Sequence, residues 1–526
     1  MNPIPSTRPL GGITTVLDLV NRDSQDNYLF PLNTTNSFFQ PSPPVTYQPA
    51  STSIQDVIPI GKADWGGMAE FKINSLEVGD MLHGVVLEFQ VGSWYSDEVV
   101  SKLESTEWRV DQTEYTAWTY INSLGTAMIE SASIIIGDQT VETVTGDYMQ
   151  VMLSTSSTAN SSFGYASTNL GRSSVSNVAN GSAPFNAYES SFTFIPPIYK
   201  VDPIHILPTQ DGKYSTFIPF FLSRDPVASA FPLMACREGS VSIRINFRPF
   251  NEVVRISTYK THMRTTPDET PLNAIAHFVD RANIGHTRPT ATQPPPLRNV
   301  RLRTLGKVCA GPTRSTILTK PFEQISQFTQ TFLFDEPLTY LSSKTNPVAD
   351  TIDISIPLEL NQPVKDITWI FRRKSVTLNN EWTNYSILSE ADYKTLDPIY
   401  VPPYVPPWLS YASLRVNGIV MEQGNGNTWR SIFGRKHNGG IASYNNNIYG
   451  YSFAQSPDQH QPTGNANMSR SQSVRLNLTV NVPAPIIDFP PGFSVNDDQG
   501  WEVHVYITGY NWIRFENGIA QKAFSD

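Results

Sequence analysis

The sequence of 526 residues predicts an all-β protein, on three observations. Segments that alternate do so with a period of two residues. Helical periodicity is scarce, its best stretch running from Thr15 to about Asn21. The 41 prolines and 31 glycines punctuate the chain as many short strands and long loops require. The length exceeds what one ordinary hydrophobic core supports, which allows two or three domains, or two large all-β ones.

The strands follow from alternation. In residues 240 to 248, Val241, Ile243, Ile245 and Phe247 share one face, and Ser242, Arg244, Asn246 and Arg248 the other. Residues 474 to 482 repeat the pattern, with Val474, Leu476, Leu478, Val480 and Val482 pointing inward. In 501 to 508 the apolar phase is Trp501, Val503, Val505 and Ile507, while Glu502, His504, Tyr506 and Thr508 face water or a neighbour. Residues 352 to 360 place Pro357 in the polar phase, which predicts an edge strand or a bulge. Residues 81 to 91 are apolar partly on both phases, as in a strand covered on both sides.

Three segments read as loops. Residues 154 to 185 are almost wholly Ser, Thr, Asn, Gly and Ala, too polar for a core and too long for a hairpin turn, and predict a projecting surface loop. Residues 286 to 300 hold three consecutive prolines and no alternation, the composition of a semi-rigid linker. Residues 397 to 408 carry Pro398, Pro402, Pro403, Pro406 and Pro407, which cannot donate ladder bonds. The expected organisation is an amino-terminal arm over 1–58, a first domain over 59–285, a linker over 286–303 and a second domain over 304–526. The two halves echo each other: SASIIIGDQTVE at 131–142 and YASLRVNGIVME at 411–422 share Ala-Ser, alternating aliphatics, a turn bearing Gly and a closing Glu.

Composition excludes several functions. Hydrophobic residues at 39% and aromatics at 11% supply a core, so the chain is not disordered as a whole. Charged residues are 16%, against roughly 25% in a typical soluble domain, which fits polar loops or an exterior that packs against other subunits. A net charge of −9 argues against wrapping nucleic acid. The basic clusters Arg298 to Arg303 and Arg372 to Lys374 read as solvated strand faces. Cys236 and Cys309 are too few for a disulfide framework and read as small buried hydrophobes in a reducing setting. No apolar run approaches the ~18 residues of a membrane span, and the start MNPIPSTRPLGG has no signal-peptide core, so a soluble, non-secreted protein is expected. Asn-x-Ser/Thr triplets at Asn33, Asn160, Asn180, Asn384, Asn467 and Asn477 are then chance.

No catalytic, cofactor-binding or metal-ligating constellation emerges. Histidines 83, 205, 262, 277, 286, 437, 460 and 504 are scattered and read as surface or loop residues. Asp497 with Asp498, and Glu390 with Asp392, read as solvated loop acids. The string GNGN at 424–427 lacks a following Lys-Ser/Thr and reads as a flexible hairpin. An enzyme is not expected. The alternative is a jelly-roll protein that binds or hydrolyses glycans, whose two carboxylates sequence alone cannot place.

Several motifs in order carry a resemblance. Residues 121–150 hold Asn122, Gly125, Ala127, Ile129, Gly137 and Gly146-Asp147-Tyr148. Upstream stand Gly79 and Asp80 after a Phe71 strand. Downstream come Phe217, Pro219, Phe221, Pro226, Pro232 and Leu233. In the second half follow PVKDITWIFRRK at 363–374, then Gln461, Pro462, Gly464, Asn467, Ser469 and Arg470, then Asn511, Arg514, Gly518, Ala523, Phe524 and Ser525. Together they resemble the double jelly-roll major capsid proteins of nucleocytoplasmic large DNA viruses. The amino terminus matches through Ser24, Gln25, Asp26, Tyr28, Leu29, Phe38 and Phe39, but lacks the basic run that often follows in that family.

The resemblance implies two tandem eight-stranded antiparallel jelly rolls with long surface loops. It implies a homotrimer that forms a pseudo-hexagonal capsomer and contacts neighbouring capsomers, penton and minor capsid proteins, with any inner-membrane contact made through the minor proteins. No sequence-specific nucleic-acid binding and no cofactor are implied. The implied location is the virion capsid, assembled in the host cytoplasm, with 154–185 on an outer tower and the amino-terminal arm directed inward.

Overall fold

The computed structural model describes residues 50–91, 114–120, 124–156, 213–224, 230–260, 296–334, 351–360, 362–373, 380, 382, 385, 408–429, 447–458, 462–481 and 501–523. The Thr15–Asn21 helix, the loop beyond residue 156 and the proline-rich stretch up to 407 lie outside the described residues.

The first half contributes β1 (Ala50–Val57), β2 (Met68–Ile73), β3 (Met81–Gln90), β4 (Glu114–Tyr120), β5 (Ile129–Ile136), β6 (Gln139–Thr145), β7 (Lys213–Ile218), β8 (Val241–Phe247), β9 (Val254–Lys260) and β10 (Arg298–Cys309). Two antiparallel sheets form, in the orders β1-β10-β3-β7 and β2-β8-β5-β6, and β4 pairs with β9 in a separate ribbon. The alternating residues close one core: Phe71, Val85, Leu87, Ile134, Ile243, Ile245 and Leu302 are all fully buried. Short helices α1 (Ser75–Val78), α2 (Leu124–Ala127) and α3 (Gly146–Ser156) occupy connections between strands.

After α4 (Gly311–Thr319) the second half supplies β11 (Phe322–Phe334), β12 (Thr351–Leu358), β13 (Pro363–Arg373), β14 (Leu409–Val416), β15 (Ile419–Gly424), β16 (Ile448–Ser452), β17 (Ala466–Asn467), β18 (Val474–Asn481), β19 (Trp501–Glu516) and β20 (Ile519–Lys522). One sheet runs β11-β19-β13-β16, with β17 and β20 paired beside it; the other runs β12-β18-β14-β15. A second core built on Trp369, Trp408, Trp429 and Trp501 fills the space between them. In both halves late strands return to lie between early ones, the jelly-roll connectivity. Pro357 lies on β12, which ends its sheet, so its missing N–H costs no inner ladder bond.

The echo between 131–142 and 411–422 is a duplicated hairpin. β5–β6 and β14–β15 hold the same place in their sheets. The register shift between Ile134 and Ile135 recurs between Leu414 and Arg415, and that between Ile129 and Ser131 recurs between Leu409 and Tyr411. Gly146 and Gly426 end the repeat alike. A Cβ on Gly146 would lie 2.3 Å from the Ile129 carbonyl oxygen, and one on Gly426 would lie 2.8 Å from that of Leu409.

Two expected boundaries move. β1 belongs to the first barrel rather than to an arm ending at residue 58, because all eight of its residues pair with β10. β10 itself spans Arg298–Cys309 and pairs with β1 and β3, so 298–303 is not linker and 304–309 does not belong to the second domain. Pro294 to Pro296 masked a strand whose Leu302 and Thr304 point inward while Arg301, Arg303 and Leu305 share the other face.

Candidate functional site at the seam between the barrels

A strand that contributes to one core buries one phase, yet β13 is buried at every position from Val364 to Arg372. Val364, Ile367, Trp369 and Phe371 enter the second core, while Ile370 joins the core of the first half. β19 divides likewise: Trp501, Val503, Val505 and Ile507 point into the second barrel, and Tyr506 meets the first. The neighbour expected for the polar phase of 501–508 is therefore the other half of the same chain.

Aromatic residues knit this seam. Phe221 of the first half stacks on Phe328 of β11 at 4.9 Å, Phe231 meets Phe515 of β19 at 5.5 Å, and Tyr148 meets Tyr506 at 5.4 Å. Such pairs contribute about 0.5–1.5 kcal/mol each beyond the area they bury. The β19–β20 hairpin clasps the first half: the Glu238 amide donates to the Gly518 carbonyl at 3.1 Å, and Ala520 lies in the first core.

Two buried ionic groups fix the register. In the middle of β6, the Glu142 carboxylate accepts the Phe221 amide at 2.6 Å and the Thr329 amide of β11 at 3.0 Å, and pairs with Arg224 at 2.8 Å. Arg224 also donates to the Gln327 carbonyl of β11. Thr329 donates to the Tyr148 hydroxyl at 2.8 Å. A carboxylate from one barrel thus satisfies an open-edge amide of the other, where leaving it unpaired would cost about 1–3 kcal/mol.

One helical turn further on, Asp147 at the start of α3 takes both terminal nitrogens of Arg372 from β13, one at 2.9 Å. Arg372 donates to the Trp382 carbonyl at 3.3 Å, and Arg248 lies 3.6 Å from the Trp382 ring centroid. Glu502 stands 3.9 Å from Arg372 and 2.7 Å from His504. Burial by itself would raise the Asp147 pKa, but the Arg372 guanidinium outweighs it and holds the carboxyl below its ordinary range. Burial pushes the Tyr506 hydroxyl well above its ordinary value. Asp147 of one barrel and Arg372 of the other thus neutralise each other across the seam.

Several readings change. Arg372, expected on a solvated face, is 2% exposed, because the strand that bears it has no solvated face. Arg301 and Arg303 do lie on a partly open face, where each pairs with both Asp56 and Glu88. His504 is a seam residue and not a loop one. His83 lies in β3, where burial and Lys307 hold its pKa below the ordinary value. The thiol of Cys236 is buried and pushed up to about 12 by that burial, and Cys309 is partly buried. GNGN is no flexible hairpin: Gly424 ends β15, and the Asn425 side chain accepts the Thr428 amide at 3.0 Å ahead of helical residues 426–429. Asn467 is 7% exposed and caps a short turn through the Ser469 amide, so a glycan has no room there. Among the described residues no cluster of three His, Cys, Asp or Glu could hold a metal, and no helix is long and apolar enough to cross a membrane.

Residues 327–521 match the profile of a protein family described as the large eukaryotic DNA virus major capsid protein. That match lies within the second barrel. The capsid protein VP54 of PBCV-1, as fitted into a reconstruction of the virophage Sputnik, superposes with a TM-score of 0.57 at 14% identity, covering 93% of this chain and 100% of that one. The Faustovirus major capsid protein superposes with a TM-score of 0.56 at 11% identity, covering 92% and 93%. At such identities these likenesses speak for the fold alone, and they extend it over both barrels. No curated protein matches the chain by sequence.

Proposed function

We propose that this chain is a major capsid protein of a large DNA virus and that three copies associate about a threefold axis, so that six barrels surround the centre and form a pseudo-hexagonal tile of an icosahedral shell. A closed cyclic assembly of a chain with two similar barrels gives near-sixfold shape from threefold symmetry. The observation that supports this reading is the seam: two barrels of one plan are locked side by side by Glu142, Asp147 and Arg372, which makes the chain a rigid two-barrel block. The tiles meet neighbouring tiles and the penton and minor capsid proteins. Assembly takes place in the host cytoplasm, and the protein works by burial of surface without catalysis. The segment beyond residue 156 forms an outer tower, and the amino-terminal arm, residues 1–49, faces inward.

Mass photometry of the purified chain tests the oligomer. The expected particle has three times the 58.6-kDa chain mass. A stable monomer at micromolar concentration contradicts the proposal.

A further inference from the structure

Both barrels carry the same face, and among the described residues only one is covered within the chain. The outer face of β11-β19-β13-β16 lies under Glu142, Tyr148 and Phe221 of the first half. The corresponding face of β1-β10-β3-β7 is open among the described residues: Ile54 is 61% exposed and Phe217 37%. The apolar strip there is continuous. Ile54 pairs with Leu305, and Leu305 and Phe217 close over Gly84, where a Cβ would meet them at 3.1 Å and 3.3 Å.

Register makes the two faces equivalent. The β10–β3 ladder shifts between Leu305 and Gly306, and the β19–β13 ladder between Thr508 and Gly509. Superposing these irregularities sets Ile54 on Thr329, Leu305 on Thr508, Gly84 on Asp366 and Gln90 on Arg372. The covering piece is duplicated too, since the repeated hairpin sets Glu422 on Glu142, Gly426 on Gly146 and Asn427 on Asp147. The first half's covering piece is engaged in the seam. The second half's is not: among the described residues Glu422 has no cationic partner and accepts only the Gln423 amide at 3.1 Å, and Asn427 is exposed.

We propose that the open face of the first barrel is the seat for the Glu422–Trp429 segment of a second copy, so that one joint recurs within and between chains around the tile. This rests on the trimer reading. The chemistry of the two sides agrees. Where the internal seam sets Asp147 against Arg372, charge on charge, the open pair is Asn427 against Gln90, amide on amide, and this contact buries no unpaired charge. Gln90 now accepts the Asn299 amide at 3.0 Å and keeps its own NH2 for a carbonyl partner. Glu422 takes the Ile54 amide as Glu142 takes that of Thr329, and the strip of Ile54, Leu305 and Phe217 loses its water. A second copy is the occupant because it alone brings a piece already shaped for this face.

Two variants of the full chain test it. In Gln90→Cys/Asn427→Cys, mild oxidation should link chains into dimers and closed trimers on a non-reducing gel, whereas either single variant should stay unlinked. Ile54→Glu, at a side chain open in the single chain, should shift the particle from trimer to monomer with an unchanged far-ultraviolet spectrum and melting temperature. A trimeric Gln90→Cys/Asn427→Cys variant that forms no link, or an Ile54→Glu variant still trimeric because residues 1–49 or another surface cover the face, overturns this inference and leaves the trimer standing. A monomeric wild type overturns both.

Discussion

Arg372 and Asp147 meet where water is excluded, so each is costly without the other. Breaking a buried pair by removing one partner costs about 3–5 kcal/mol, whereas replacing both with apolar residues of similar volume is often near neutral. Arg372→Met should therefore lower unfolding stability by about that amount, and Arg372→Met/Asp147→Leu should recover most of it, read by chemical denaturation. The pair also sets a pH dependence. The Asp147 pKa is lowered in the folded chain, so its contribution is complete above the unfolded value of about 3.9 and lost as pH falls below that through the folded value. Asp147→Asn should flatten the stability profile below about pH 4, and an unchanged acid limb would show that the pair carries none of it. The sequence displayed both residues, Asp147 inside Gly146-Asp147-Tyr148 and Arg372 inside a basic triplet. It hid their meeting, because they stand 225 positions apart and a basic triplet ordinarily faces water.

Strands with one buried phase are legible, and β8, β12 and β18 fall within a residue or two of where alternation places them. β13 gives up less, since a strand covered on both faces has no solvated phase to betray its period, and β19 alternates over 501–508 but is buried throughout 509–513. Asn417-Gly418 and Asn517-Gly518, both with positive φ at each residue, are strong hairpin signals that mark β14–β15 and β19–β20. Only the first entered the repeat comparison, so the clasp at the carboxyl end went unforeseen. β10 was hidden by the prolines before it. The repeated hairpin makes its own prediction at this scale. Gly146 and Gly426 each press against a carbonyl at the start of the first strand of the repeated hairpin, and Gly→Ala at either should destabilise by about 1–3 kcal/mol through overpacking. The contact is closer at Gly146, so its variant should lose more in a thermal melt. Equal melting temperatures for wild type and both variants would mean that the chain yields freely there.

At the scale of the molecule, one face plan is used twice. The second barrel spends its outer face on the first, and among the described residues the first keeps its own open, which gives the chain a head and a tail. A block with a head and a tail closes into a ring when the rotation between copies divides a full turn. Weak surface charge suits this design, since a charged exterior would have to be stripped of water at each joint. That tandem all-β domains were present could be read from alternation, length and the internal echo. How they lean on each other could not, because the joint is made by side chains far apart in sequence. The most direct test is electron microscopy of the purified oligomer viewed down its axis. The account predicts six lobes of density in a hexagonal outline with threefold symmetry. Single two-lobed particles, or an open chain of barrels that never closes, would contradict it.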